Sequence, residues 1–181
     1  MRLYQRISRY VTRDTPLGEA LQAIVNLMAE FMHSDSCLLY LLDKGELVLV
    51  AGKSPNPGAI GEVRLRLDEG LTGWVARERR ILAISRESYN DPRFKFFRDL
   101  PEDTYESFLS APVIAKNRVV GVLNLQHRQA RSHGGDDIEL MTTAGEQIGC
   151  LVTQALVHAA ELDDASFVEL VLTQKQTSHA R

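Results

Sequence analysis

A chain of 181 residues with 44% hydrophobic and 25% charged side chains has the make-up of one globular domain, because domains usually run to roughly 100–200 residues. Two compact enzyme domains are excluded. Twenty-four acidic against 21 basic side chains leave a formal charge of −3, which gives no overall attraction to nucleic acid or to an anionic membrane. Met1-Arg2-Leu3-Tyr4-Gln5-Arg6 has no apolar signal core, and no run reaches the roughly 18 apolar residues of a membrane span, so a cytoplasmic chain is expected.

In chain order, Leu3, Ile7, Tyr10 and Val11 form the stripe of a short amphipathic helix. A second helix is expected from Pro16 to His33, with Thr15 as N-cap, Pro16 at the first helical position and Leu17, Leu21, Ile24, Val25, Met28, Phe31 and Met32 on its apolar face. The period then changes. Cys37 to Leu42 and Glu46 to Ala51 are apolar runs separated by Asp43-Lys44-Gly45, a hairpin signal. Ser54-Pro55-Asn56-Pro57-Gly58 breaks regular structure, and Val63 to Leu67 alternates as a strand with one wet face.

Glu69 to Ala76 reads as a glycine turn feeding a short helix, and Ile81 to Ile84 as a further strand. From Ser85 to Glu106 periodicity is lost while Tyr89, Phe94, Phe96, Phe97 and Tyr105 are kept, so this long connection is expected to be functional rather than disordered. Phe108 to Ala115 and Val119 to Gln126 form a second hairpin around Lys116-Asn117-Arg118, with Asn117 suited to positive φ. After Gly134-Gly135, Asp136 or Asp137 is expected to cap a long helix with Ile138, Met141, Ala144, Ile148, Leu151, Val152, Ala155 and Leu156 on one face. Asp163-Asp164-Ala165-Ser166 is a potential break before the tail. The order predicts an α+β fold, an α/β/α sandwich around a mostly antiparallel sheet of about six strands with helices at both ends.

Candidate chemistry concentrates on few residues. Trp74 offers a large flat surface that either fills the core or closes a pocket. The Ser85 to Glu106 connection combines aromatic faces at Tyr89, Phe94 and Phe97 with polar handles such as Asp91, either to grip a ligand or to plug the sheet face. Ser110 and Asn124 are polar residues inside apolar strands, and a bound molecule, a neighbouring loop or an ordered water must satisfy them. The five histidines show no metal spacing and read as solvated surface residues. Cys37 in an apolar strand and Cys150 beside Leu151 read as buried, inert thiols without zinc or disulfide spacing. No catalytic residue, metal or cofactor is expected. Arg64, Arg66, Arg77, Arg79 and Arg80 read as a solvated basic face rather than a nucleic-acid patch.

Four strings in this order, Glu69-Gly70-Leu71-Thr72-Gly73-Trp74-Val75-Ala76, Asn90-Asp91-Pro92-Arg93-Phe94, Ser107 to Ile114 and Val119 to Gln126, resemble the GAF domains, relatives of the PAS sensors. The likeness is greatest to the GAF domains of nitrogen-related phosphotransferase enzymes I and of nitrogen-fixation regulators. It divides the chain into an N-terminal helix (1–13), a GAF-like sensory domain (14–158) and a helical extension with a polar tail (159–181). The resemblance implies a non-catalytic sensor of a small metabolite, a fragment or a stand-alone relative, that signals through terminal helices and forms a homodimer through them. The phosphotransferase chemistry itself would require a histidine domain downstream.

Other branches of the family fit less well. The free methionine-R-sulfoxide reductases use three cysteines, against two in this chain. The cyclic-nucleotide pattern would start at Asn117-Arg118 and end at Asp136-Asp137, but Ser132 or His133 stands where its Phe belongs. The long connection has no cysteine for a bilin. A dimerisation scaffold without ligand is the alternative function.

Overall fold

The first helix, α1 (Leu3–Thr12), and the second, α2 (Leu17–Phe31), precede a hairpin of β1 (Ser36–Asp43) and β2 (Glu46–Lys53). In this computed structural model, which describes residues 3–54, 57–95, 105–159 and 167–178, the chain continues through β3 (Arg64–Arg66), α3 (Gly70–Glu78) and β4 (Leu82–Ile84). A second hairpin, β5 (Ser107–Ala115) and β6 (Arg118–His127), leads to the long α4 (Gly135–Ala159) and to α5 (Phe167–Ser178). The six strands form one sheet in the order β3-β2-β1-β6-β5-β4, with every neighbouring pair antiparallel.

Both hairpins turn on two residues of positive φ, Lys44 with Gly45 and Lys116 with Asn117. Such turns match the right-handed twist of the flanking strands. Arg118 belongs to β6 rather than to the turn.

Strand alternation divides the interior in two. Cys37, Leu39 and Leu41 of β1, Leu109, Ala111 and Val113 of β5, and Leu123 and Leu125 of β6 face a layer built from α1, α2, α4 and α5. Tyr40, Leu47, Leu49, Leu65, Phe108 and Val122 face the other way, against α3. This is the expected α/β/α sandwich. Leu3 and Ile7 of α1 and Val168 and Val171 of α5 are buried in the first core, so the terminal helices bury their apolar stripes on the domain itself. At the end of α4, Leu156 and Val157 remain 40% and 55% exposed.

Two helix starts differ from expectation. Pro16 has φ −51° and ψ 135°, an extended conformation, and is itself the N-cap of α2, with no side-chain cap from Thr15. Its carbonyl accepts the first helical hydrogen bond from Ala20. In α4 the Gly134 carbonyl accepts from the Ile138 amide, and Asp136 and Asp137 lie inside the first turn, where they favour the positive end of the helix dipole without capping it. The 163–166 break falls outside the described residues. No helix among the described residues is long and apolar enough to cross a membrane.

Candidate functional site

Asn124 and Gln126 alternate with Leu123, Leu125 and His127 on β6, so they face α3 while the latter face the helical layer. Opposite Asn124 in the register stand Leu38 on β1 and Ser110 on β5, and opposite Gln126 stand Ser36 and Phe108. Above this patch lie the start of α3 and the segment ending in Phe94 and Lys95. They close a cavity of about 40 Å³ lined by Leu38, Tyr40, Thr72, Phe94, Asn124 and Gln126 among others. That volume holds about three water molecules.

Two of its polar residues, Asn124 and Thr72, form a hydrogen-bonded set with the neighbouring Ser110. Ser110 Oγ donates to Asn124 Oδ1 at 2.6 Å, and Asn124 Nδ2 donates to Thr72 Oγ1 at 2.8 Å, all buried. Ser110 and Asn124 thus pair with each other and, through Thr72, with α3. Gln126 differs. It is 7% exposed and lines the same cavity, and among the described residues its Oε1 has no hydrogen-bond partner; nor has Oγ of its cross-strand neighbour Ser36. Gln126 was missed among the candidates, although its i, i+2 spacing from Asn124 puts it on the same strand face.

The closing segment is fastened by charge. Arg93 grips Asp91 through two hydrogen bonds of 2.8 and 2.7 Å, and its guanidinium lies 4.6 Å from the centre of the Trp74 ring, a cation–π contact. These bonds hold the Asp91 carboxyl below its ordinary range and raise Arg93. Lys95 Nζ lies 3.0 Å from Glu69 Oε2. Glu69 is held down first by the Arg66 amide that donates to it, then by Lys95. The Lys95 side chain rests on Gly70, where a Cβ would meet Lys95 Cβ at 3.3 Å.

Tyr89 stands apart from the cavity lining: its hydroxyl donates to Glu106 Oε1 at 2.9 Å, which raises its pKa. Ser88 Oγ donates to the Tyr105 carbonyl at 2.6 Å, so the two ends of the long connection are tied together. Of the predicted site residues, Phe94 and Asn124 line the cavity. Ser110 and Trp74 support it from behind and beside, Asp91 holds Arg93, and Phe97, with Phe96, lies outside the described residues.

Three further expectations are corrected or sharpened. His127 is buried and the His133 side chain has no exposure, so these two are not surface histidines. Cys150 is exposed, whereas Cys37 is buried on the helical side of the sheet; burial drives the Cys37 thiol far above its ordinary pKa. The five arginines of the basic face are exposed, and Arg64, Arg66 and Arg77 pair with Glu46, Asp68 and Glu78. Among the described residues no group of three His, Cys, Asp or Glu is placed to hold a metal ion.

Residues 16–152 match the family model described as the GAF domain. The chain belongs to the GAF domain family. The GAF domain is 27% identical over 145 residues to the "Phosphoenolpyruvate-dependent phosphotransferase system" protein of Salmonella typhimurium, a match that covers 79% of this chain and 19% of the relative. It is 23% identical over 164 residues to the "Nif-specific regulatory protein" of Azorhizobium caulinodans, covering 87% and 26%. The chain thus spans about a fifth to a quarter of the length of these curated relatives. Among solved structures, the GAF domain of a phosphoenolpyruvate-protein phosphotransferase from Coxiella burnetii superposes with a TM-score of 0.82 at 25% identity, covering 87% of this chain and 95% of that one. A type II free methionine-R-sulfoxide reductase from Thermoplasma acidophilum shares the fold at 16% identity with a TM-score of 0.66, covering 76% and 93%.

Proposed function

We propose that this GAF domain is a non-catalytic sensory module of a signal-transduction protein, which binds a small metabolite between the sheet and the segment closed by Phe94 and passes the change to its terminal helices. The observation that carries this reading is the Gln126 Oε1, which has no hydrogen-bond partner among the described residues, at the wall of a cavity bordered by Phe94 and by Lys95, itself paired with Glu69. A buried amide without a partner costs about 1–3 kcal/mol, and a ligand that supplies the partner recovers it. Because 40 Å³ is too small for a metabolite, binding requires Phe94 to swing outward. A ligand that favours the open state then shifts the population toward it. The relatives in phosphotransferase and regulatory proteins support a role ahead of an effector, and Leu156 and Val157 supply exposed apolar surface for a homodimer through the terminal helices.

A thermal-shift panel of amino acids, 2-oxo acids and nucleotides tests this. A true ligand at about 100 times its Kd adds about 2.7 kcal/mol, hence a rise of about 5–10 °C in Tm. Phe94→Ala is expected to weaken that saturable rise while the protein stays folded. If the panel and native mass spectrometry both find nothing bound, the domain is a dimerisation scaffold.

The placement of the thiols supports a non-catalytic role: Cys37 points into the helical core and Cys150 lies on the outer surface of α4, so neither faces the cavity. Titration of native protein with a thiol reagent is expected to modify Cys150 rapidly and Cys37 only after denaturation. Rapid modification of both thiols, or turnover of free methionine-R-sulfoxide with thioredoxin that is lost on Cys37→Ser, would favour the reductase reading instead.

A further inference from the structure

The junction between β6 and α4 buries a basic cluster on the face opposite the cavity. His127 ends β6, Arg131 and His133 follow in the connection, and Asp137 sits in the first turn of α4. Met32, beyond the end of α2, Asp35, just before β1, and Ser107 of β5 complete the surroundings.

The chemistry of the donors fixes the protonation state. Arg131 Nη1 lies 2.6 Å from the Met32 carbonyl and 3.1 Å from His127 Nε2. A guanidinium nitrogen only donates, so Nε2 carries the lone pair. The ring proton is then on Nδ1, 3.2 Å from Ser107 Oγ. Nε2 also lies 3.4 Å from the Met32 carbonyl. Two acceptors thus face each other, and Arg131 bridges them.

Protonation inverts this arrangement. A charged His127 has a donor at Nε2 aimed at the Met32 carbonyl and repels the guanidinium that now occupies that oxygen. The same competition occurs at Asp137, whose carboxylate lies 3.7 Å from Arg131 Nη2 and 3.5 Å from His133 Nδ1. The His133 ring is completely buried, 5.5 Å from that of His127. In the neutral state its nitrogens have no hydrogen bond among the described residues; a proton on Nδ1 gives it Asp137 as partner. Arg131, with a third of its side chain exposed, has a route to water.

We propose that this cluster is a proton-driven exchange switch, in which neutral His127 admits Arg131 to the Met32 carbonyl and protonated His127 displaces it, loosening the connection into α4. The switch links the end of β6, whose Gln126 lines the candidate site, to the start of α4. The Arg131 amide donates to the Ser85 carbonyl at the root of the long connection, and the Glu106 amide, at its other end, donates to the His127 carbonyl.

The direction of the pH dependence follows from the balance of causes. Burial is the leading cause that holds both rings below the ordinary histidine value, with Arg131 adding to it, against raising contributions from Met32, Asp35 and Asp137 for His127 and from Asp137 for His133. Each pKa is lower in the folded than in the unfolded chain, so below about pH 6.5 the unfolded chain binds more protons and the closed arrangement loses stability as pH falls.

Histidine Cε1–H and arginine Nε–H resonances followed from pH 8 to 5 test the switch. His127 is expected to titrate below about 6.5, the Arg131 Nε–H signal to shift with the same midpoint, and hydrogen exchange of the peptide covering 128–138 to accelerate with it. Arg131→Gln removes the competing charge and is expected to raise the His127 midpoint by about half a pH unit or more. His127→Gln combined with His133→Gln keeps neutral side chains at both ring positions and is expected to make the Arg131 signal independent of pH, which serves equally if Arg131→Gln fails to fold. An Arg131 signal that stays constant through the His127 titration, or one that still shifts in the double variant, overturns the proposal.

Discussion

Gly149→Ala is expected to lower the unfolding free energy by about 1–3 kcal/mol, the range for overpacking a close contact, although alanine is the better helix former by about 1 kcal/mol. The opposing term is steric. A Cβ at position 149 would lie 2.5 Å from the Ile114 carbonyl oxygen and 3.1 Å from its carbon, and both belong to the backbone of β5, which is fixed by its pairing with β6. Neither atom can rotate away, so α4 must rise from the sheet. Ala144, Ile148 and Val152, buried on the same helix, then lose contact with β5 and β6. Gly145 supplies the comparison, since its Cβ would meet the Pro112 oxygen at 3.2 Å, tight but within reach of a small adjustment. Gly145→Ala is accordingly expected to cost less than Gly149→Ala. The midpoints of urea unfolding for both variants check the ranking. A Gly149→Ala variant as stable as the parent chain would mean that α4 is not seated on β5 as closely as described. The same seat suits α4 to the output role proposed for it: a helix whose glycines rest directly on the β5 backbone has no slack to absorb a shift of that strand.

How far this was legible in the sequence depends on whether a residue's environment is local. The hairpins were, because Lys44-Gly45 and Lys116-Asn117 are short, polar and tolerant of positive φ. So were the strand faces, where an apolar alternation of period two carries the information. Ser110 and Asn124 stood out as polar residues in those runs, but their common link to Thr72, 52 residues from Asn124, is a product of tertiary folding. Cys150 was misplaced for a simpler reason. Ile148, Leu151 and Val152 point inward, and a residue two positions from Ile148 is turned about 200° around the helix axis. For His133 no periodic pattern applies, since a loop residue is buried only by what happens to close over it. Pro16 shows a local rule overridden by a local conformation, with the extended ψ of the proline placing the helix start one residue later than its composition suggested.

Asn124→Ala is expected to cost about 2–4 kcal/mol, because it leaves two buried hydroxyls without their partners at about 1–2 kcal/mol each and opens a small void beside the cavity. Ser110 Oγ loses its acceptor and Thr72 Oγ1 loses the amide that donates to it. The loss also detaches α3 from the centre of the sheet, so a fall in Tm of several degrees should accompany increased exchange of the α3 amides. An apolar replacement of the whole set gives the opposite expectation. With Thr72→Val, Ser110→Ala and Asn124→Leu together, no donor or acceptor is stranded, and stability should return to within about 1 kcal/mol of the parent chain. Failure of the triple variant to recover would show that the three groups are not a closed set and that one of them depends on another partner. Its recovery would also separate the two roles of this strand face. Asn124 then holds α3 in place, while the recognition proposed for the cavity falls on Gln126, whose Oε1 no described residue satisfies. A folded triple variant that still responds to a ligand of the parent domain would establish that division, and Gln126→Leu in the same background should then abolish the response.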